Sequence, residues 1–128
     1  MNPVIKKIKR YSVDLCRQNL DHLFIFGSNL IKRGHGGQAI ISDESNSYGI
    51  PTKKHPSMRE NAFFNDGEYE KNIKIIKESI DNIPLIYEYI VFPEDGLGTG
   101  LAQLPLRAPR TYRFLVSYLN SKFGDIYE

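Results

Sequence analysis

The chain has 128 residues, 41% of them hydrophobic and 25% charged, with a formal net charge of +2. This is the composition of one ordinary globular domain, which excludes a collagen, a low-complexity tail and a disulfide-stapled miniprotein. The charge alone is too small to argue for nucleic acid. Cys16 is the single cysteine and the three histidines are scattered, so neither a disulfide nor a zinc-site spacing is expected. No apolar run approaches the ~20 residues of a membrane span, and the start lacks the apolar block of a signal peptide. The expectation is one reduced, cytoplasmic domain over residues 1–128, without metal, cofactor or membrane partner.

Residues 3–19 read as a helix: Asn2 supplies a cap, Pro3 suits the first turn, and Val4, Ile8, Tyr11 and Leu15 recur at helical spacing. Lys6, Lys7, Lys9 and Arg10 mostly fall off that stripe and read as a solvated face, and Cys16 as an inert packed thiol. Leu23–Phe26 is a continuous apolar run that stops at Gly27-Ser28, the pattern of a buried strand. Asn29 follows, then Gly34-His35-Gly36-Gly37, then Gln38–Ile41, which can start a helix. Tyr48–Thr52 predicts a second short strand, with Pro51 near its end. Residues 53–67 are polar and loop-like. Lys53, Lys54 and His55 form a basic cluster there that could meet a phosphate, although a solvated loop is the plainer reading.

Asn65 and Glu68 have the spacing of a capping box, and Tyr69, Ile73, Ile76 and Ile80 follow with helical period up to Pro84. Leu85–Phe92 is rich in β-branched and aromatic residues and predicts a strand. It runs into Pro93-Glu94-Asp95-Gly96-Leu97-Gly98-Thr99-Gly100. A last helix is expected over 107–123, burying Tyr112, Leu115, Val116, Leu119 and Phe123 and stopping at Gly124. This alternation predicts an α/β layer protein with helices on both sheet faces.

Each of the two glycine loops follows a strand and leads toward a helix. Glycine lets backbone N–H groups approach an anion, and ligands of open α/β sheets bind outside the carboxyl ends of the strands. Residues 34–37 and 96–100 could therefore close on one diphosphate. Neither is a P-loop, because no Gly-Lys-Ser/Thr follows, and the first lacks the dinucleotide fingerprint. If there is catalysis, His35, inside the first loop, and Asp95, before the second, are the acid–base candidates.

Asn29 followed by Gly34-His35-Gly36-Gly37-Gln38-Ala39-Ile40 resembles the first ADP-ribose loop of macrodomains, and Ile90–Pro105 is similar to their strand and second phosphate loop. Ile50-Pro51-Thr52-Lys53-Lys54 and the Tyr69 helix resemble the compact branch that includes terminal ADP-ribose glycohydrolase-like macrodomains; short phage-encoded macro-like proteins look similar too. The likeness spans roughly residues 21–122. It implies a three-layer α/β/α sandwich with a mixed, largely parallel sheet. By that likeness Gly96, Leu97, Gly98, Thr99 and Gly100 would cradle the diphosphate and distal ribose, with Gly34, Gly36, Gly37 and Gln38 opposite. Gly27 and Ser28 would join the ligand-binding set, Phe92 and Leu101 would be apolar walls, and Asn29 would meet a ribose hydroxyl or a water. Tyr112 or Phe123 would stack on adenine, and Asp14 or Asp21 would read its amino group.

The departures from that family fall on catalysis. Gly37 stands where many hydrolytic members carry aspartate, Ala102 lies where the compact branch has another, and Gln38–Ile41 lack its lysine. The resemblance implies binding of ADP-ribose or a related NAD-derived nucleotide, with removal of ADP-ribose from protein or nucleic acid as the enzymatic extension. A non-catalytic reader or sponge for a signalling nucleotide is the alternative. A third reading is a nucleic-acid-associated protein using Lys6–Arg10 and Lys53–Lys54.

Overall fold

The structure is a computed structural model that describes residues 2–128. Its strands are β1 (Val4–Ile8), β2 (His22–Asn29), β3 (Ser47–Lys53) and β4 (Tyr89–Pro93). The α-helices are α1 (Val13–Gln18), α2 (Tyr69–Asp81), α3 (Leu104–Arg107) and α4 (Pro109–Phe123). The four strands make one sheet in the order β1-β4-β2-β3 with every strand pairing parallel, and a single antiparallel bridge joins Lys53 to Phe63 beyond it.

The central strands are apolar on both faces because both faces are covered. From β2 and β4, Leu23, Ile25, Ile90 and Phe92 enter a core with Ile76 and Ile80 of α2 and Leu115 and Leu119 of α4. The intervening Phe24, Phe26 and Val91 pack on the other face with Cys16 of α1 and Ile41. Three layers result, and no helix among the described residues is long and apolar enough to cross a membrane.

Several elements differ from expectation. The anticipated helix over 3–19 is instead β1, a turn, and α1 capped by Ser12, whose Oγ accepts from the Leu15 amide at 3.0 Å. Pairing with β4 overrides the helical period there: Val4 to Ile8 lie opposite Tyr89 to Pro93. Lys6 and Lys7 are not simply a solvated face. The Lys6 ammonium sits 3.0 Å from His22 Nε2 and 3.9 Å from the Tyr89 ring centroid, and Lys7 Nζ donates to the Ile126 carbonyl at 3.0 Å.

The strand expected from Leu85 starts at Tyr89, since only that stretch is flanked by β1 and β2, and Ile86 is 90% exposed. Gln38–Ile41 form one 3-10 turn (Gly37–Ile41) in place of a helix. Asn65 does not cap α2 through its side chain; a 3-10 turn (Asp66–Glu68) intervenes. The last helix is split at Ala108, and α4 starts where Asp66 accepts from the Arg110 and Thr111 amides at 2.8 and 3.0 Å. Gly124, with φ of 88°, ends α4 as anticipated.

Candidate functional site

Strands β2 and β4 pair only from His22/Tyr89 to Phe24/Val91, then splay. Two side chains span the fork. The Tyr11 hydroxyl lies 2.7 Å from the Ile25 carbonyl and 3.1 Å from the Val91 carbonyl, and its burial keeps it protonated. Further up, the Gln38 carboxamide accepts from the Gly27 amide at 3.0 Å and donates to the Gly96 carbonyl at 2.9 Å. Above this bridge a cavity of about 410 Å³ opens, within the range of small-molecule sites.

The cavity lies at the carboxyl ends of the strands. Gly27, Ser28 and Asn29 of β2 and Thr52 and Lys53 of β3 line it, together with Arg33, Gly34, Gly36, Gly37 and Gln38 from one loop and Gly98, Gly100 and Leu101 from the other. Both glycine loops therefore do converge on one space. The register between β2 and β3 shifts at Ser28/Asn29, a bulge of the kind that re-aims side chains at sheet rims. Asn29 then organises the first loop: its Oδ1 accepts from the Ile31 and Arg33 amides at 3.2 and 3.4 Å, and its Nδ2 donates to the Arg33 carbonyl at 2.7 Å. Gly98 requires glycine on two counts. Its φ is 75°, and an added Cβ would come within 3.0 Å of Thr52 Cβ and 3.1 Å of Leu104 Cβ.

The charged side chains in the lining are Arg33 and Lys53, with no carboxylate beside them. Among the described residues neither makes an ion pair. Arg33 is exposed, whereas Lys53 is only 6% exposed. The Lys53 ammonium rests 3.4 Å from Met58 Sδ and 4.7 Å from the Phe63 ring centroid. Burial first, and Arg107 second, hold its pKa below the ordinary lysine value. Adjacent Lys54 pairs with Glu68 at 2.6 Å. Lys53 thus lines the cavity and carries a buried ammonium with no ion-pair partner among the described residues.

Other anticipated site residues lie elsewhere. Phe92 and Leu97 are 0% and 1% exposed within the hydrophobic core, so they support the cavity from behind and do not wall it. Gly96 offers its carbonyl to Gln38, Thr99 Oγ1 donates to the Asp95 carbonyl at 2.8 Å, and neither those residues nor Asp95 lines the cavity. His35 is turned away too, with Nε2 2.9 Å from Asp43 Oδ2 at an exposed position. Tyr112 and Phe123 pack half-buried against the core, Phe123 5.5 Å from Phe92 between ring centroids. Asp21 precedes β2, at the opposite end of the sheet, and holds His22 Nδ1 at 2.6 Å; Asp14 is exposed on α1.

Arg33 and Thr52 are lining residues that pattern reading did not single out, and Lys53 entered it only as one of the basic cluster Lys53–His55. Their common signal is position just past or at a strand's carboxyl end, where a parallel sheet builds its sites.

The fold and cavity thus define a parallel α/β protein with a cleft at the carboxyl ends of its strands. A family described as a family of unknown function (DUF7831) matches residues 6–118, most of the chain, and the chain belongs to it. No curated protein and no solved structure matches it.

Proposed function

We propose that this cavity binds ADP-ribose or a related NAD-derived nucleotide, with the diphosphate between the two glycine loops. The observation that carries this reading is one cleft lined by backbone of both loops and by Arg33 and Lys53, without a carboxylate. A diphosphate supplies the counter-charge that Lys53 lacks, and glycine backbone can approach it closely. The lining holds neither carboxylate nor imidazole to activate water, which favours a nucleotide reader or sponge over an ADP-ribosyl hydrolase. The ligand is then a free nucleotide or an ADP-ribosyl group on a protein or nucleic acid. The buried free thiol of Cys16 suits a reducing, cytoplasmic setting.

Calorimetry with ADP-ribose, ADP, NAD and adenosine tests this. The three phosphorylated ligands should release or take up heat on binding, and adenosine should not; absence of binding at millimolar ADP-ribose overturns the reading. Lys53→Met should weaken ADP-ribose binding about tenfold, the loss of one charge-assisted contact. The pH dependence has a definite sign. The ammonium strengthens binding, so affinity holds below the lowered Lys53 pKa and falls by up to that factor as pH rises through it. Stability of the free protein moves the other way: the folded state binds fewer protons, so Lys53's unfavourable contribution fades as pH rises from its lowered value toward 10.5.

A further inference from the structure

Gln38 stands where β2 and β4 have parted, and its carboxamide does there what a peptide unit of the missing ladder would do. It accepts the Gly27 amide at 3.0 Å and donates to the Gly96 carbonyl at 2.9 Å, joining the end of β2 to the loop after β4 on the side toward the cavity. The opposite assignment of oxygen and nitrogen would set donor against donor and acceptor against acceptor, so the orientation is fixed by its partners. Each end of the carboxamide thereby makes one bond to protein. A further approach between the loops is apolar: a Cβ at Gly36 would come within 3.0 Å of Leu101 Cδ1. The first loop is otherwise exposed from Ile31 to Gly37, so its distance from the second loop depends on what spans the fork.

We propose that Gln38 is a positioning residue: its carboxamide sets the width of the fork between the end of β2 and the loop after β4, and binding of a nucleotide diphosphate depends on that setting. This rests on the reading of the cavity as a nucleotide site. Binding across two loops needs both at the right separation before the ligand arrives, and each loop held elsewhere reduces affinity by the free energy of restoring it.

Gln38→Glu provides a reversible break. A protonated glutamic acid is close in shape to glutamine and makes both bonds: its carbonyl accepts from Gly27, and its hydroxyl donates to Gly96. Ionised, it keeps the first and opposes the Gly96 carbonyl with a negative charge. Affinity for ADP-ribose should therefore fall about tenfold at about pH 8 and return toward that of the unaltered protein at about pH 4, as the introduced carboxyl is protonated. The unaltered protein, measured at the same two pH values, sets the baseline and should lack this recovery. Gln38→Met, which fills the space and makes neither bond, should bind weakly at both. Equal affinity of Gln38→Glu at both pH values overturns the proposal, as does tighter binding by Gln38→Met, which would make the carboxamide a mere occupant of the ligand's place. Failure of the unaltered protein to bind at either pH instead removes the nucleotide reading itself. Thermal melting of each variant without ligand separates lost positioning from lost folding.

Discussion

After β4, Leu97 is 1% exposed, Gly98 is wedged between Thr52 and Leu104, and the Leu104 amide donates to the Gly98 carbonyl at 2.8 Å. After β2, residues 31–37 are all exposed, and the loop is held through the side chains of Asn29 and Gln38. One glycine loop is thus an extension of the core and the other a surface segment tied down at its ends. The difference suits a site with a fixed floor and a compliant wall: close packing makes the second loop intolerant of change, while hydrogen bonds to single side chains make the first adjustable.

Three substitutions probe this contrast, taken from the largest effect downward. Gly98→Ala forces a Cβ against two packed neighbours from a left-handed backbone, and should cost about 3 kcal/mol in urea unfolding. A cost near that of an ordinary surface substitution would mean that the second loop is not part of the core. Asn29→Ala removes the three bonds that shape the first loop, and should cost about 1.5 kcal/mol while weakening ADP-ribose binding. Stability loss with unchanged affinity would separate loop shape from recognition. Gly37→Ala meets nothing within 4 Å, so only its φ of 58° opposes the change, and the cost should be about 1 kcal/mol. If Gly37→Ala proved as damaging as Gly98→Ala, the two loops would be equally rigid and the contrast would fail.

The adjacent lysines show how far the site was legible in the residues alone. Lys53 and Lys54 are chemically identical and consecutive, yet Lys54 meets Glu68 while Lys53 points into a buried setting beside Met58 and Phe63. β3 ends at Lys53, and which of two neighbours at a strand end is buried depends on segments far along the chain. The glycine loops were legible because their demand is local: positive φ at Gly34, Gly37, Gly96 and Gly98 is a property of each residue's own backbone. Phe92 was not legible in this way, because an apolar residue beside a loop suits a cavity wall and a core equally.

The apolar run at Leu23–Phe26, the stripe of α2 and the punctuation at Gly124 were enough to specify a layered α/β chain with helices on both sheet faces. These are short-range signals, in which hydrophobic period and backbone freedom act within a few residues. That Val4–Ile8 is a strand, that β2 and β4 part after Phe24, and that Gln38 bridges the gap came only with assembly. Each of these depends on a partner tens of residues away, and the energy that selects it exists only once the sheet has formed.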